Sequence, residues 1–542
     1  MNSPTPSHPL CPSADPRPTP APGGPEDGPG SGGRRSRRRA RTPDPRLAVD
    51  DVHVVDRPRM RTAIGGTVVG NIMEWFDFGV YGYMAIMLAD LFFQTGNEQL
   101  DLILALLGFA VSFIVRPFGG LVLGPLGDRI GRQKVLFFTM AMMASATALI
   151  GLLPTQSQIG IWAAFGLYAL KLIQGFSTGG EYAGATTYVA EFAPDRKRGL
   201  FASFLDVGSY LGFALGAGAV AVTHLITSQV WGPDAMENWG WRIPFLLAIP
   251  LGAVAIWFRA HIPETPAFEA TDQTREDGTA AVADPAGVHS RKNVVGIIRH
   301  HWRELLIGIA LVAATNTAGY ALTSYMPTYL GDQFGYDEMT SAAATIPALL
   351  VLCAMIPVVG WASDRVGRRR VYGAAAIAGV VLTVPAFWLM HADSFLLIQL
   401  AMFLMAVPVA LFAGPSAGSL PALFPTAARY GAMGLCYNVS VSLFGGTTPL
   451  ISQELIHLTG NSYMPALWIM LFALLSGLAV LGLGMRESAN RPLIGSFPSV
   501  ESEEEARELV ATQDANPLIN TAEMPIVAEA EAVLEQEEMA RA

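Results

Sequence analysis

The sequence predicts an all-α membrane protein in which twelve transmembrane helices form two six-helix repeats. Hydrophobic residues make up 51% of the 542 residues and charged residues only 15%, against about 25% charged residues in soluble domains. Apolar runs of about 20 residues, the length needed to cross a bilayer as a helix, follow one another along the chain. One loop sequence also occurs twice, once in each half of the chain. Because lipid offers the backbone no hydrogen-bond partners, each apolar run is expected to be helical.

Changes in composition divide the chain into five regions. They are a disordered cytosolic N-terminal tail (1–55), an N-terminal six-helix half (56–258), a cytosolic linker (259–303), a C-terminal six-helix half (304–490) and an acidic cytosolic tail (491–542). The first region is rich in Pro, Gly and Ser and contains the basic run 34–41, so it is not expected to bury a core. The three cysteines show no paired or metal-ligand spacing, so neither a disulfide framework nor a metal site is predicted.

The apolar runs and the polar breaks between them place the individual helices. In the N-terminal half, helices 1 to 6 are expected at 62–92, 100–124, 135–153, 160–192, 200–227 and 243–258. In the C-terminal half, helices 7 to 12 are expected at 304–330, 340–362, 371–390, 394–423, 431–456 and 464–485. On helix 5, a glycine at every fourth position from Gly208 to Gly216 predicts close packing against a neighbouring helix.

Positive charge is concentrated in the loops on one side of the predicted bundle. These loops contain Arg129, Arg132, Lys134, Arg196, Lys197, Arg198, Arg365, Arg368, Arg369, Arg370 and Arg429. Loops on the opposite side, such as 95–101 and 331–338, contain no Lys or Arg. By the positive-inside rule, the basic loops and both termini are expected in the cytosol.

The duplicated sequence lies between the second and third helices of each half. GPLGDRIGRQK at 124–134 recurs as GWASDRVGRRR at 360–370, and a looser echo relates 194–198 to 425–429. Glycine permits close helix approach, aspartate can cap a helix, and arginine remains at the headgroup level. These residues are predicted to form a conformational gate: Gly124, Asp128, Arg129, Arg132, Asp364, Arg365 and Arg368. Glu191 is expected to pair with arginines of the duplicated loops and to latch the cytosolic side, although a plain surface salt bridge is nearly as good an interpretation.

These motifs resemble those of a known family. The duplicated G-x-x-x-D-R-x-G-R loop is similar to the signature of the major facilitator superfamily. Four stretches resemble its metabolite:proton symporter branch: GNIMEWFDFG (70–79), QGFSTGGEY (174–182), WGWRIPF (239–245) and PETPAF (263–268). Further stretches resemble bacterial proline/betaine transporters: SFLDVG (203–208), ATNT (314–317), SYMPTY (324–329), FPTAARY (424–430) and ESANRPL (487–493).

The resemblance implies a function as well as a fold. It implies a symporter of the bacterial inner membrane that imports zwitterions such as proline and glycine betaine by alternating access. The implied partners are the substrate, the lipid bilayer and the proton as coupling ion, with no further cofactor and no nucleic acid. Two alternatives remain: a symporter of an organic acid such as a dicarboxylate or shikimate, and a transport-inactive sensor on the same fold. The motifs expected of an enzyme do not occur.

Ionisable residues within predicted helices are candidates for proton coupling, because a charge at bilayer depth is costly unless it is paired or functional. They are Glu74 and Asp77 on helix 1, Arg116 on helix 2, and Lys171 and Glu181 on helix 4. The preferred pair is Asp77 with Lys171, since related sugar-porter-like proteins place an acid and a base at corresponding positions. A static ion pair between two helices is the alternative. Asp206 on helix 5 is a weaker candidate.

Aromatic and neutral polar residues are candidates for substrate binding. A quaternary ammonium favours the face of an aromatic ring, which indicates Trp75, Tyr81 and Tyr320. Asn316 and Thr323 share a helical face with Tyr320, and Asn438 provides an amide on helix 11. Packing alone would also account for each of these aromatic residues.

Overall fold

The computed structural model describes residues 46–130, 132–260, 298–392, 394–521 and 524. In the N-terminal half the main helices are α1 (Arg57–Tyr83, continued by Ala85–Phe92), α2 (Glu98–Ile130), α3 (Arg132–Leu152), α4 (Trp162–Ser177, continued after the 3-10 turn Thr178–Gly180 by Glu181–Phe192), α5 (Arg198–Trp231) and α6 (Arg242–Leu246 with Ala248–Ala260). In the C-terminal half they are α7 (Trp302–Tyr320, the π-helical turn Ala321–Tyr325 and Met326–Phe334), α8 (Glu338–Val366), α9 (Arg368–Met390), α10 (Phe395–Ser419), α11 (Thr426–Ser440, the π-helical turn Val441–Gly445 and Thr448–Thr459) and α12 (Met464–Gly482).

These helices occupy the positions that the hydropathy predicts. Within the described ranges, eight helical segments are long and apolar enough to cross a membrane by length and composition. Their outer surface carries exposed apolar side chains such as Leu121, Ile377 and Leu396, as expected of a surface that faces lipid. The predicted linker 259–303 lies mostly outside the described residues.

The duplicated sequence is more helical than predicted. Helix α8 continues to Val366, beyond the apolar run, and α9 begins at Arg368. Gly367 alone separates them, with a φ of 104°, which is a conformation that glycine adopts without strain. Hydropathy marks only the part of a helix in the hydrocarbon, so it misses turns that extend to the headgroup level.

Helix α5 packs against both halves. A Cβ at Gly212 would lie 2.5 Å from the Ile72 carbonyl oxygen of α1, so only glycine allows this approach. Towards the other half, a Cβ at Gly360 of α8 would lie 2.6 Å from the Gly199 carbonyl oxygen. The small residues of α5 therefore make it the shared wall between the halves.

The two ends of the described chain form a small folded unit, here called the terminal cap, made of residues 46–55 and 496–521 with Met524. Strands β1 (His53–Val54) and β2 (Ser499–Val500) pair in parallel, and helix α13 (Glu503–Ala511) follows. The prediction that 1–55 is disordered is therefore wrong for residues 46–55. Leu47 and Val52 are buried against Val500 and Ala506, so their apolar partners lie at the other end of the chain, where composition alone does not indicate them.

The terminal cap covers one end of the bundle, here called the basic end, where the first turns of α5, α9 and α11 bring Arg198, Arg368 and Arg429 together. Lys197 Nζ lies 2.7 Å from a Glu501 carboxylate oxygen, and Arg196 Nη1 lies 3.1 Å from Glu505 Oε1. The acidic charge of the C-terminal segment is thus placed against basic loops, although each pair is partly exposed and weak by itself.

We expect Ala506→Glu to unfold the terminal cap without unfolding the bundle. Ala506 is fully buried in the cap, and a carboxylate there would lack a partner. Hydrogen exchange at residues 46–55 should rise about tenfold or more, since burying an unpaired polar group costs more than about 1.4 kcal/mol.

The matched control is Arg507→Glu on the exposed face of the same helix. Arg507 makes only a solvated pair with Glu503, so its replacement should leave exchange at 46–55 unchanged. Equal exchange in both variants would show that residues 46–55 are not held by this core.

Candidate functional site

A cavity lies between the two halves. The N-terminal half lines it with Trp75, Tyr182, Asp206, Ser209, Tyr210 and Phe213. The C-terminal half lines it with Thr315, Asn316, Gly319, Tyr320, Thr323, Ser416 and Tyr437. A molecule bound here would contact both halves, as alternating access requires. Helices α7 and α11 each have a π-helical turn close to these residues, a feature that often marks functional sites.

Aromatic rings form much of the cavity wall. The Trp75 and Tyr320 ring centroids lie 5.8 Å apart, and those of Trp75 and Phe213 lie 5.4 Å apart. Tyr182 of α4 stacks on Tyr437 of α11 at 4.1 Å, so this pair bridges the two halves. The Tyr320 hydroxyl is buried without a hydrogen-bond partner in the described part of the chain, which leaves a donor available to a ligand.

Asp206 is the acidic residue of this lining. Its side chain is buried, and the Tyr182 hydroxyl donates to Oδ1 at 2.7 Å. Oδ2 is buried and has no hydrogen bond of ordinary geometry among the described residues, although the backbone N–H of Ala417 on α10 lies near the carboxyl group.

A buried ion pair of the N-terminal half joins Glu74 of α1 to Arg116 of α2. Arg116 Nη2 lies 3.0 Å from Glu74 Oε1, and both side chains are 1% exposed. The guanidinium also lies 4.5 Å from the centroid of Phe113 and 5.4 Å from that of Trp75. These contacts offset the cost of burying two charges.

The predicted direct pair of Asp77 with Lys171 is replaced by a chain of hydrogen bonds. Lys171 Nζ donates to Gln174 Oε1 at 2.8 Å, Gln174 Nε2 donates to Thr147 Oγ1 at 2.5 Å, and Thr147 donates to Asp77 Oδ2 at 2.7 Å. Two neutral side chains thus stand between acid and base. Helix spacing places Asp77 on a face of α1, but it does not show that Thr147 of α3 fills the gap.

The ammonium of Lys171 is held among aromatic rings rather than by a carboxylate. It lies 4.2 Å from the Tyr81 ring centroid and 5.0 Å from that of Phe78. Tyr81 therefore packs on Lys171 and donates its hydroxyl to the Ala105 carbonyl oxygen. Glu181 is buried at the start of the second part of α4, outside the cavity lining.

Four of the six candidates for substrate binding line the cavity, namely Trp75, Asn316, Tyr320 and Thr323. Tyr81 and Asn438 do not. Asn438 Nδ2 donates to the Gly179 carbonyl oxygen of the other half at 2.7 Å, so its amide joins the halves. Sequence analysis missed Tyr182, Ser209 and Phe213, although Ser209 and Phe213 lie three and seven residues after Asp206 and so share its helical face.

At the basic end, Asp364 of α8 caps α5 of the opposite half. Its two carboxylate oxygens accept from the backbone N–H groups of Gly199 and Leu200 at 2.8 and 2.9 Å. Because the first N–H groups of a helix lack intrahelical partners, a carboxylate there satisfies them and interacts favourably with the helix dipole. Arg368 donates to the Gly418 carbonyl oxygen at 2.6 Å and also lies near Asp364.

Glu191 pairs with Arg429 across the halves, at 3.1 Å. Arg429 belongs to the looser echo 425–429. The side chains of Arg129 and Arg132 in the first duplicated loop lie outside the described residues, so the predicted pairing of Glu191 with the duplicated loops stays a prediction. Arg198, its counterpart in the first half, is bound in the same way. Arg198 Nε donates to the Ala190 carbonyl oxygen and Arg429 Nε to that of Pro421, in each case eight residues earlier.

The other gate candidates divide into two groups. Arg365 lies over the Trp361 ring at 4.1 Å and does not join these contacts between the halves. The side chains of Gly124, Asp128, Arg129 and Arg132 lie outside the described residues, so their predicted role stays a prediction.

We expect Arg116→Met to lower the unfolding free energy by about 3 kcal/mol or more, because it leaves Glu74 as a buried, uncompensated charge. Adding Glu74→Gln should restore most of that loss. The control is Arg242→Met, since Arg242 is half-exposed and stacks on Trp241 at 4.2 Å. Thermal unfolding in detergent compares the stability of the wild-type protein with that of the three variants. A double variant that is no more stable than Arg116→Met would contradict the ion-pair interpretation.

We expect Asp364→Asn to open the basic end. Loss of a charge at the α5 N-terminus costs about 1 kcal/mol, or roughly a fivefold shift in population. The reporter is Ser203→Cys, in a background without the three native cysteines, because Ser203 is fully buried beside Gly360.

Maleimide should label this cysteine several-fold faster in Asp364→Asn, whereas the control Arg365→Gln should not change the rate. Equal rates in the two variants would show that the Asp364 cap does not hold this end closed.

Comparison with known proteins agrees with this architecture. Residues 64–495 match the family described as sugar (and other) transporter. An ectoine/proline transporter of Corynebacterium glutamicum is 56% identical over 491 residues, covering 91% of this chain and 96% of that protein. The proline/betaine transporter of Escherichia coli is 41% identical over 465 residues, covering 86% and 91%.

Solved structures show the same fold. A proton:xylose symporter of the major facilitator superfamily, bound to 6-bromo-6-deoxy-D-glucose, superposes with a TM-score of 0.62 at 17% sequence identity, covering 83% of this chain and 99% of that chain. The partially occluded inward-open xylose transporter from E. coli gives 0.58 at 17% identity, covering 79% and 98%. The chain therefore belongs to the sugar (and other) transporter family and is a multi-pass membrane transporter with the major facilitator fold, rather than an enzyme.

Proposed function

We propose that this transporter imports small zwitterionic osmoprotectants, such as proline, glycine betaine and ectoine, together with protons. The observation that carries the proposal is the cavity between the halves, where aromatic rings, a carboxylate and hydroxyl groups are combined. Aromatic faces favour an ammonium group, and a hydroxyl such as that of Tyr320 can donate to a carboxylate. The names of the C. glutamicum and E. coli relatives indicate the same class of substrate.

The alternative of an organic-acid symporter is less well supported by the cavity. Its lining, within the described residues, contains Asp206 but neither Lys nor Arg. A dicarboxylate would add two negative charges beside that carboxylate, which is unfavourable in a medium of low dielectric constant. A zwitterion has a cationic end and a carboxylate end, and each finds a suitable partner here.

Proton coupling is assigned to the Asp77 chain in the N-terminal half. Asp77 is 1% exposed, accepts from Thr147, and has a second oxygen with no hydrogen-bond partner in the described ranges. Lys171, two side chains away, is a cation whose distance from Asp77 can change when α3 and α4 move. A carboxylate with such a partner can load and release a proton.

The basic end is assigned to the cytosol, with both termini on that side of a bacterial inner membrane. This orientation is supported by the basic residues just before α5 and in the first turns of α5, α9 and α11. The contacts of Asp364 and Glu191 then hold the cytosolic side closed in this conformation, and import requires them to break.

We expect the wild-type protein in proteoliposomes to accumulate labelled glycine betaine only when a proton gradient is imposed, with or without sodium. Asp77→Asn should abolish accumulation but allow exchange of substrate down its own gradient, because it keeps the shape and removes the titrating group. Gln174→Leu cuts the hydrogen-bond chain and leaves both charges in place, so accumulation should fall about tenfold or more.

The control is Gln399→Leu, a buried glutamine of α10 whose side chain donates to the Ala344 carbonyl oxygen outside the cavity lining. Betaine accumulation that survives collapse of the proton gradient would reject proton coupling. Coupled uptake by Asp77→Asn would move the proton site to another carboxylate of the N-terminal half.

A further inference from the structure

We infer that Asp206 is the specificity-determining residue that binds the positively charged nitrogen of the substrate. This inference rests on the proposed function and names the contact by which the cavity selects a zwitterion. The site takes compounds in which a cationic nitrogen, whether secondary ammonium, quaternary ammonium or amidinium, lies a short distance from a carboxylate.

The first argument is the state of the carboxylate itself. Tyr182 occupies Oδ1, whereas Oδ2 is buried and has no hydrogen bond of ordinary geometry among the described residues; the backbone N–H of Ala417 lies near the carboxyl group but carries no charge to balance it. A buried carboxylate oxygen without a partner is costly, and no Lys or Arg in the described lining compensates its charge. A cation that enters the cavity supplies the missing charge.

The second argument is position: the two buried acids of α1 lie away from the cavity, although Asp77, like Asp206, has one carboxylate oxygen with no hydrogen-bond partner among the described residues. Glu74 is paired with Arg116, and Asp77 accepts from Thr147. Neither belongs to the cavity lining. Of the three carboxylates, Asp206 is the one placed to meet a ligand.

The third argument is the aromatic surroundings of Asp206. Tyr210 and Phe213 follow it on the same helix, and the stacked Tyr182 and Tyr437 lie beside it. Aromatic faces attract a quaternary ammonium, which has no N–H to donate and therefore depends on charge and ring contacts. A carboxylate within such a wall serves both the N–H groups of proline and the methylated nitrogen of glycine betaine.

The opposite end of the ligand has its own partner. The unpartnered Tyr320 hydroxyl can donate to the substrate carboxylate, and Ser209, which accepts from Asn71 Nδ2 at 2.7 Å, keeps its own O–H for donation. Recognition of the cation and recognition of the carboxylate are therefore separable by substitution.

The test compares glycine betaine with 3,3-dimethylbutyrate, which has the same shape but carries carbon in place of the charged nitrogen. Binding to the purified full-length protein is measured by titration calorimetry at constant pH. We expect the wild-type protein to prefer betaine on the order of 100-fold. Asp206→Asn should reduce that preference at least about tenfold, while binding of 3,3-dimethylbutyrate is unchanged or improved.

The matched control is Tyr320→Phe. It should weaken both ligands by a similar factor, about five- to tenfold, and leave the preference for betaine intact. A preference that persists in Asp206→Asn, or one that disappears in Tyr320→Phe instead, overturns the assignment.

A second variant covers the case in which Asp206→Asn binds neither ligand because it does not fold. Tyr182→Phe removes the hydrogen bond that stabilises the ionised form of Asp206 and retains the carboxyl group, so the preference for betaine should fall several-fold while 3,3-dimethylbutyrate still binds. An unchanged or larger preference would overturn the inference. Failure of the wild-type protein to bind either betaine or proline would instead reject the proposed function, so the two failures are distinguishable.

Discussion

A charge at bilayer depth must be neutralised or stabilised nearby, and the interior of this transporter is organised around that constraint. Glu74 has its neutralising partner in Arg116, at 3.0 Å. Lys171 lies against aromatic faces and is linked to Asp77 only through Gln174 and Thr147. The first arrangement is a fixed pair, and the second separates acid and base by side chains on different helices. Only the second can change its electrostatic balance by a small helix movement, which is why we propose different roles for the two acids of α1.

The same constraint explains why the halves differ. The described cavity residues of the C-terminal half are neutral, whereas the N-terminal half contains Glu74, Asp77, Arg116, Lys171 and Asp206. If charges were divided between the halves at depth, each rocking movement would separate opposite charges in a medium of low dielectric constant. Keeping them within one half lets the interface between the halves open at lower cost. Charged contacts that do cross the interface, such as Glu191 with Arg429, lie at the basic end, where water can solvate them when they separate.

The sequence was sufficient for features that arise from local pattern. The helices, the repeat and the buried charges follow from hydropathy and spacing, and Trp75, Asn316, Tyr320 and Thr323 do line the cavity. It was not sufficient for features that depend on which distant side chain fills a gap. Thr147 and Gln174 are unremarkable in sequence, yet they decide that Asp77 and Lys171 do not touch. The terminal cap was missed because Leu47 and Val52 find their apolar partners at the opposite end of the chain.

Helix α5 connects these separate features in one rigid element. Its first N–H groups are capped by Asp364 of the other half, its third turn bears Asp206, and Gly212 fits closely against α1. A helix of this length moves as a unit, so a force on Asp206 from a bound cation is transmitted to the Asp364 cap and to the α1 contact together. The cap requires α5 and α8 to be close, whereas in the proposed import cycle release of substrate at the basic end requires them to part. A ligand that alters the position of α5 therefore acts on the gate without any contact of its own at that end.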